Sequence, residues 1–271
     1  MEQQGLFWEN WREDMKILVC IKQVPDMESK FKVAEGGTWY DTTELAWRMN
    51  EYDEYSVEQA VRVCEQENGS ELTVLSIGSD KVKETMKKAL AMGAHRGVHI
   101  VDSGAAGREP YQIAAIIAEY AKDKGFDLIF TGMQSQDRGS AQVGILVAEM
   151  LGMPSISTIV EFSVSNGKIE AKRELEGGVK ARVTTRTPAV VTCQLGLNTP
   201  RYPTLPNIMK AKKKELLSVP VQDLLKTEAR LVTRRIYIPE KKSGGLILEG
   251  EEGELADRLI AILKEKTAVL Q

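Results

Sequence analysis

The sequence predicts an α/β protein: an open, mostly parallel, doubly wound sheet with an antiparallel extension and a C-terminal arm. Three observations carry this. Short apolar runs alternate with apolar stripes of helical period at a spacing of roughly 25–30 residues, the pattern of βαβ units. After Gly152 the alternation gives way to four consecutive strand-like runs. Beyond residue 195 the regularity fades into a proline-rich loop, a lysine run and a polar, glycine-containing tail.

Residues 16–21, Lys-Ile-Leu-Val-Cys-Ile, read as a short buried strand, ended by the turn that Pro25 imposes. Residues 28–50 form an irregular excursion with Gly36-Gly37 and two tryptophans. Val57, Ala60, Val61 and Cys64 then repeat at helical spacing. Residues 72–76 are the next strand, ending in Ile77-Gly78. Val82, Met86, Ala89 and Leu90 mark a helix with Ser79 as its expected cap. Residues 98–101 are a strand, and Ile113, Ile116, Ile117 and Tyr120 the helix after it. Residues 127–131 and the stripe Val143, Leu146, Val147, Met150 and Leu151 complete the alternation. Strands are then expected at 157–164, 168–175, 179–185 and 189–193, joined through Asn166-Gly167 and Gly177-Gly178, which are hairpin signals. Leu255, Leu259, Ile262 and Leu263 form one stripe of a terminal helix. Three parts follow: an extension at 1–14 with Phe7, Trp8 and Trp11, an α/β domain at 15–195, and a loop and arm at 196–271.

The 271 residues are 42% apolar and 28% charged, as in a soluble globular protein. A net charge of −3 argues against a nucleic-acid binder. No apolar run reaches the length of a membrane span, and the N-terminus has no signal-peptide pattern. Cys20, Cys64 and Cys193 are widely separated in apolar sequence, which suits reduced thiols and a cytoplasmic location. His95 and His99 read as structural, and no metal-ligand spacing, Ser/His/Asp, Cys/His or paired-carboxylate constellation is visible.

In open parallel sheets ligands bind beyond the carboxyl ends of the strands. Cys20-Ile21-Lys22, Ile77-Gly78, the run Asn50-Glu-Tyr-Asp53 and the run from Gly132 to Gly144 should meet there. The last joins a strand to a helix through small and polar residues, so Gly139, Ser140, Ala141, Gln142 and Val143 could cradle a phosphate on backbone amides. The plainer alternative is an ordinary β-α turn capped by Asp137 or Ser140. The run matches neither the P-loop nor the GxGxxG pattern. Asn50 and Asp53 read first as helix caps and second as contacts to an adenine or ribose edge. Residues 197–214 place Pro200, Pro203 and Pro206 around Leu205, then run into Lys210, Lys212, Lys213 and Lys214. This should be a stiff exposed loop with an apolar knob and a basic flank, fit for transient recognition of an acidic partner, or else a solvated linker.

These motifs together resemble the β subunit of electron transfer flavoproteins. The resemblance rests on ILVCIKQVPD at 17–26, NEYDEYSVEQAV at 50–61, ALAMGAHRGVHI at 89–100, GMQSQDRGSAQVG at 132–144 and LNTPRYPTLPNIMKAKKK at 197–214. It implies a fold of the adenine nucleotide alpha hydrolase-like type and a heterodimer whose α subunit holds most of the redox FAD. It further implies a structural AMP in this chain, or a second FAD if the complex bifurcates electrons and uses NADH. Cys20, Asn50, Asp53, Ile77 and residues 139–144 would line the AMP pocket, with Gly132 and Gln134 beside it and Tyr52 facing the flavin. Arg201, Tyr202, Pro203, Thr204, Leu205 and Pro206, with Ile208, Met209, Lys210 and Lys213, would dock acyl-CoA dehydrogenases, Leu205 being the anchor. A membrane quinone oxidoreductase would be the other redox partner. Glu51 stands where the family commonly has proline, and the 1–14 extension lies outside the family's pattern. An alternative of another class is a universal-stress-type nucleotide-binding regulatory module, which shares the α/β plan.

Overall fold

The computed structural model describes residues 14–67, 69–240 and 244–267. The expected extension falls outside these apart from Asp14. The first strand, β1 (Lys16–Cys20), is followed by a small antiparallel ribbon, β2 (Gln23–Pro25) with β3 (Trp47–Met49). Then come α1 (Glu51–Gln66), β4 (Glu71–Gly78), α2 (Val82–Met92), β5 (Arg96–Val101), α3 (Pro110–Ala121), β6 (Leu128–Gly132) and α4 (Val143–Leu151). The strands β7 (Ser155–Ser165), β8 (Lys168–Glu174), β9 (Lys180–Arg186) and β10 (Ala189–Cys193) follow. The chain continues through α5 (Leu205–Ala211), β11 (Leu216–Pro220) and α6 (Glu252–Lys266).

The main sheet has nine strands in the order β11-β5-β4-β1-β6-β10-β7-β8-β9. All pairings from β11 to β7 are parallel, and β7-β8-β9 is an antiparallel meander. Residues in β1 alternate between the two faces. Ile17 and Val19 pack into a core with Val57 and Ala60 of α1 and Met86 and Leu90 of α2. Leu18 and Cys20 pack with Ile116 and Ile117 of α3 and Val147 of α4. Both faces are therefore covered, as a parallel sheet requires.

Three local expectations are revised. The run 189–193 does not extend the meander; β10 turns back and inserts between β6 and β7, parallel to both. Its five residues are all buried, which suits an interior strand rather than an edge. The tail contributes β11, which lengthens the sheet beyond β5. Ser79 does not cap α2, which begins at Val82 without a side-chain cap. The hairpin signal at Asn166-Gly167 holds: both residues have positive φ, 49° and 68°, as a tight primed turn demands.

Candidate functional site

The strand order reverses at β1. The chain moves out through β4 and β5, then returns to place β6 on the other side of β1. A crevice opens at such a switch point, because the flanking helices diverge onto opposite faces. A cleft of about 330 Å³ lies here, at the lower end of the range for ligand sites.

Cys20, Asn50, Asp53, Ile77, Gly132, Gln134, Ser140, Ala141, Gln142, Val143 and Gly144 all line the cleft. Tyr52 and Gly139 sit just behind this lining, next to Gln134. Gln134 Nε2 donates to the Tyr52 hydroxyl at 3.2 Å, and Gly139 turns the loop with φ 59°.

Asn50 and Asp53 are 1% and 4% exposed. Asn50 sits at the N-cap of α1 but makes no side-chain cap bond. Its amide instead grips the loop after β6: Nδ2 donates to Gln134 O at 2.9 Å, and Oδ1 accepts from Gln136 N at 3.0 Å. Asp53 accepts from Lys22 N at 2.7 Å and from Gly132 N at 3.1 Å. The pair thus clasps the carboxyl ends of β1 and β6 together. Burial pushes the Asp53 carboxyl up to about 7, against hydrogen bonds from Asn50 and the two amides that favour the ionised form.

The loop from β6 to α4 comes very close to the sheet. A Cβ on Gly144 would lie 2.5 Å from Thr131 Oγ1 and 2.7 Å from Thr192 Cγ2. Only glycine lets the first turn of α4 approach the ends of β6 and β10. A side chain at Gly132 would likewise collide with the Asp53 carboxylate. Ala141 adopts a positive φ of 51°, a conformation that side chains disfavour. The first amides of α4 have no intrahelical acceptors and carry the positive end of the helix dipole.

Several lining residues take roles that the sequence did not assign to them. Lys22 ends the β1 stretch and bonds Asp137 at 2.6 Å; burial lowers its pKa, with Asp137 opposing. Arg138 stacks on Trp39, its guanidinium carbon 4.4 Å from the ring centroid, and donates to Ala106 O. Asp102 and Arg108 pair at the far wall. Trp39 and Tyr40 come from the 28–50 excursion, which folds over the mouth of the cleft. Its aromatic density was the only signal for that role.

A second surface lies on the proline-rich segment. Thr204 caps α5, its hydroxyl accepting from Asn207 N at 3.4 Å. Leu205 opens the helix and Pro206 takes its second position, where a missing N–H does no harm. The expected loop therefore ends in a short helix. Tyr202, Leu205 and Met209 are 92%, 79% and 60% exposed, with Ile208 beside them. Pro206, Lys210 and Lys213 are also exposed, whereas Pro203 is half-buried. Arg201 is different: it pairs with Glu58 and Glu65 of α1. Lys214 donates to Leu90 O and Ala94 O at the end of α2. The basic flank open to a partner thus narrows to Lys210, Lys212 and Lys213.

No helix among the described residues is long and apolar enough to cross a membrane, and no cluster there could hold a metal ion.

Fold and site together define a doubly wound α/β protein with a cleft at its switch point and an apolar knob on the proline-rich segment. A family model described as "Electron transfer flavoprotein domain" matches residues 38–224, more than half of the chain. The chain is 36% identical over 261 residues to the electron transfer flavoprotein subunit beta of Bacillus subtilis, covering 94% of this chain and 100% of that one. It is 35% identical over 261 residues to the subunit beta of Methylophilus methylotrophus, covering 93% and 98%. It is 35% identical over 255 residues to the mouse subunit beta, again covering 93% and 98%. The chain belongs to the electron transfer flavoprotein β-subunit family.

Proposed function

We propose that this chain pairs with an electron transfer flavoprotein α subunit in the cytoplasm. The complex carries electrons between acyl-CoA dehydrogenases and a membrane quinone oxidoreductase, through FAD held mainly by the α subunit. The β chain holds an AMP in the switch-point cleft. The observation that carries the adenylate reading is the cradle at Gly144, where backbone amides of a helix start stand against the strand ends with no side chain between.

The residues present fit such a ligand. The amides of Ala141, Gln142, Val143 and Gly144 suit a phosphate, and Lys22 and Arg138 supply nearby positive charge. Ile77, Ile113, Ile117 and Cys20 offer apolar walls for a base. The modest volume favours a mononucleotide over a second FAD. AMP brings no redox chemistry; it fills the cleft and links the loops around it. The shared FAD supplies the redox centre when bound. This chain contributes positioning and shielding, with Tyr52 on the flavin side, and no acid-base step.

The arm supports the heterodimer. Leu231, Val232, Tyr237, Ile238, Leu246 and Ile247 are exposed, and none of the α6 residues described is buried. Apolar surface of that extent suits a partner subunit. A self-sufficient regulatory module would leave it uncovered.

The test is to denature the purified αβ complex and count what it releases. One FAD and one AMP per heterodimer is the expected result. Two FAD and no AMP would move the protein to the bifurcating class, and a complex without any adenylate would remove the cleft assignment altogether.

A further inference from the structure

The docking segment is exposed at its tip but held at its base by an unusual choice of partner. Glu58 lies mid-helix in α1 and is 2% exposed. Burying a carboxylate is unfavourable unless it is fully paired, and an apolar residue would pack there without that burden. Both oxygens are in fact used. Oε2 accepts from Arg201 N at 3.1 Å and from Arg201 Nε at 2.8 Å. Oε1 accepts from Arg62 Nε at 2.7 Å and from Arg201 Nη2 at 3.2 Å. Arg201 also forks onto Glu65, at 2.6 and 3.0 Å. Burial raises the Glu58 carboxyl, but the Arg201 and Arg62 bonds outweigh it and hold the group ionised, below its ordinary range.

The bond to the Arg201 amide matters most. A side-chain ion pair alone would fix a charge, whereas this contact fixes the backbone four residues before Leu205. The neighbouring contacts act on the same stretch. Asn198 Nδ2 donates to Tyr55 O at 3.1 Å, and Arg62 Nη2 donates to Thr199 O at 3.3 Å. All the acceptors and donors come from one side of α1. Past the knob, Lys214 pins the other end of the segment to the end of α2. Between these moorings the short helix α5 rests on α2, with Ala211 in the core, and carries the exposed tip outward.

We infer that Glu58 is a positioning residue for partner docking: its clasp on the Arg201 backbone and guanidinium sets the angle and rigidity at which Leu205 is presented to an apolar pocket on the dehydrogenase. The inference rests on the docking reading above. Arg201 on this view is not a rim charge for the partner; it is consumed internally, and its exposed neighbours carry the recognition. Pre-setting the tip removes an ordering cost that would otherwise fall on the encounter.

The test measures reduction of the αβ complex by a purified acyl-CoA dehydrogenase, with the complex as the varied substrate. Glu58→Gln keeps the shape but loses the charge that holds the guanidinium. It should raise KM for the complex about three- to tenfold, with kcat and bound FAD unchanged. The decisive readout is the combination with Leu205→Ala. If the clasp acts through the knob, Glu58→Gln adds nothing once Leu205 is gone. The same fold-change on both backgrounds would show that Glu58 acts elsewhere and would overturn the proposal, as would an unchanged KM in Glu58→Gln alone. Should that variant fail to assemble, Arg201→Gln, which leaves Glu58 paired with Arg62, carries the same expectation. A Leu205→Ala complex with unchanged KM is a separate outcome: it sinks the docking reading itself.

Discussion

The switch-point cleft and the C-terminal third of the chain are built on opposite plans. In the cleft, the buried side chains that set the loops are paired from within. Asp53 ties Lys22 to Gly132, Asn50 holds the loop at Gln134 and Gln136, and Asp102 holds Arg108. In the tail, apolar side chains from Tyr202 to Ile260 stand in solvent, and the described helix α6 buries nothing. The difference teaches where each region gets its order. The cleft is preorganised by the sheet. The tail carries apolar surface that the described residues of the chain leave open.

The sharpest way to break this contrast is to remove the arm. Truncation after Arg230 should abolish association with the α subunit, a loss of more than 100-fold in affinity by an order-of-magnitude estimate for so much apolar surface. The α/β core should keep its circular dichroism and its thermal midpoint within a few degrees. A core that unfolds with the arm would mean the two regions are one cooperative unit.

Leu205→Ala comes next. Losing one aliphatic anchor of about 1.5–3 kcal/mol should lower dehydrogenase-linked kcat/KM roughly tenfold to hundredfold. Stability should hardly change, because the side chain is already in water.

Gly144→Ala probes the other side. The added methyl meets Thr131 and Thr192, so the fold should lose about 1–3 kcal/mol in denaturant titration, and adenylate should be absent from the purified complex. Retention of stoichiometric AMP would show that the α4 start does not form the cradle.

The Asp53 carboxyl gives a pH test of the same clasp. Its folded pKa of about 7 lies above the unfolded value of about 4. The native state therefore binds the proton more tightly. The resulting stability is full below about pH 4 and is lost as pH rises through about 7. The advantage of the wild type over Asp53→Asn should shrink across that window, followed by urea midpoints at several pH values. An advantage that grows with pH would put the carboxyl below its ordinary range instead.

The smallest effect belongs to the lysines. Lys213→Gln should slow association with the dehydrogenase a few-fold at low salt and not at all at high salt, since rim charges act on encounter.

Most of the parallel sheet was legible because each β-α unit carries its own period. The stripe Val57, Ala60, Val61 and the run 72–76 were each unambiguous within about ten residues. What escaped was pairing. Nothing in Ala-Val-Val-Thr-Cys says whether the strand follows the meander or returns to β6; burial in the finished sheet decides that. The strand β11 was hidden by its short Leu-Leu-Ser-Val-Pro run, whose ladder depends on β5 lying beside it. In the site, turn chemistry announced the loop at 132–144, whereas the true partners of Asn50 and Asp53 are tertiary. Both read first as helix caps, and neither role could be separated from sequence spacing. The cover formed by Trp39 and Tyr40 has no period to detect.

The connection from β10 to β11 passes four other strands, β6, β1, β4 and β5, before it rejoins the sheet. Leu205 rides on that crossing. Its moorings at Glu58 and at the end of α2 join residues far apart in sequence, Arg201 with Glu58 and Lys214 with Leu90. A subunit that lost either distant contact would leave Leu205 with less restraint, although the break lay in another part of the fold.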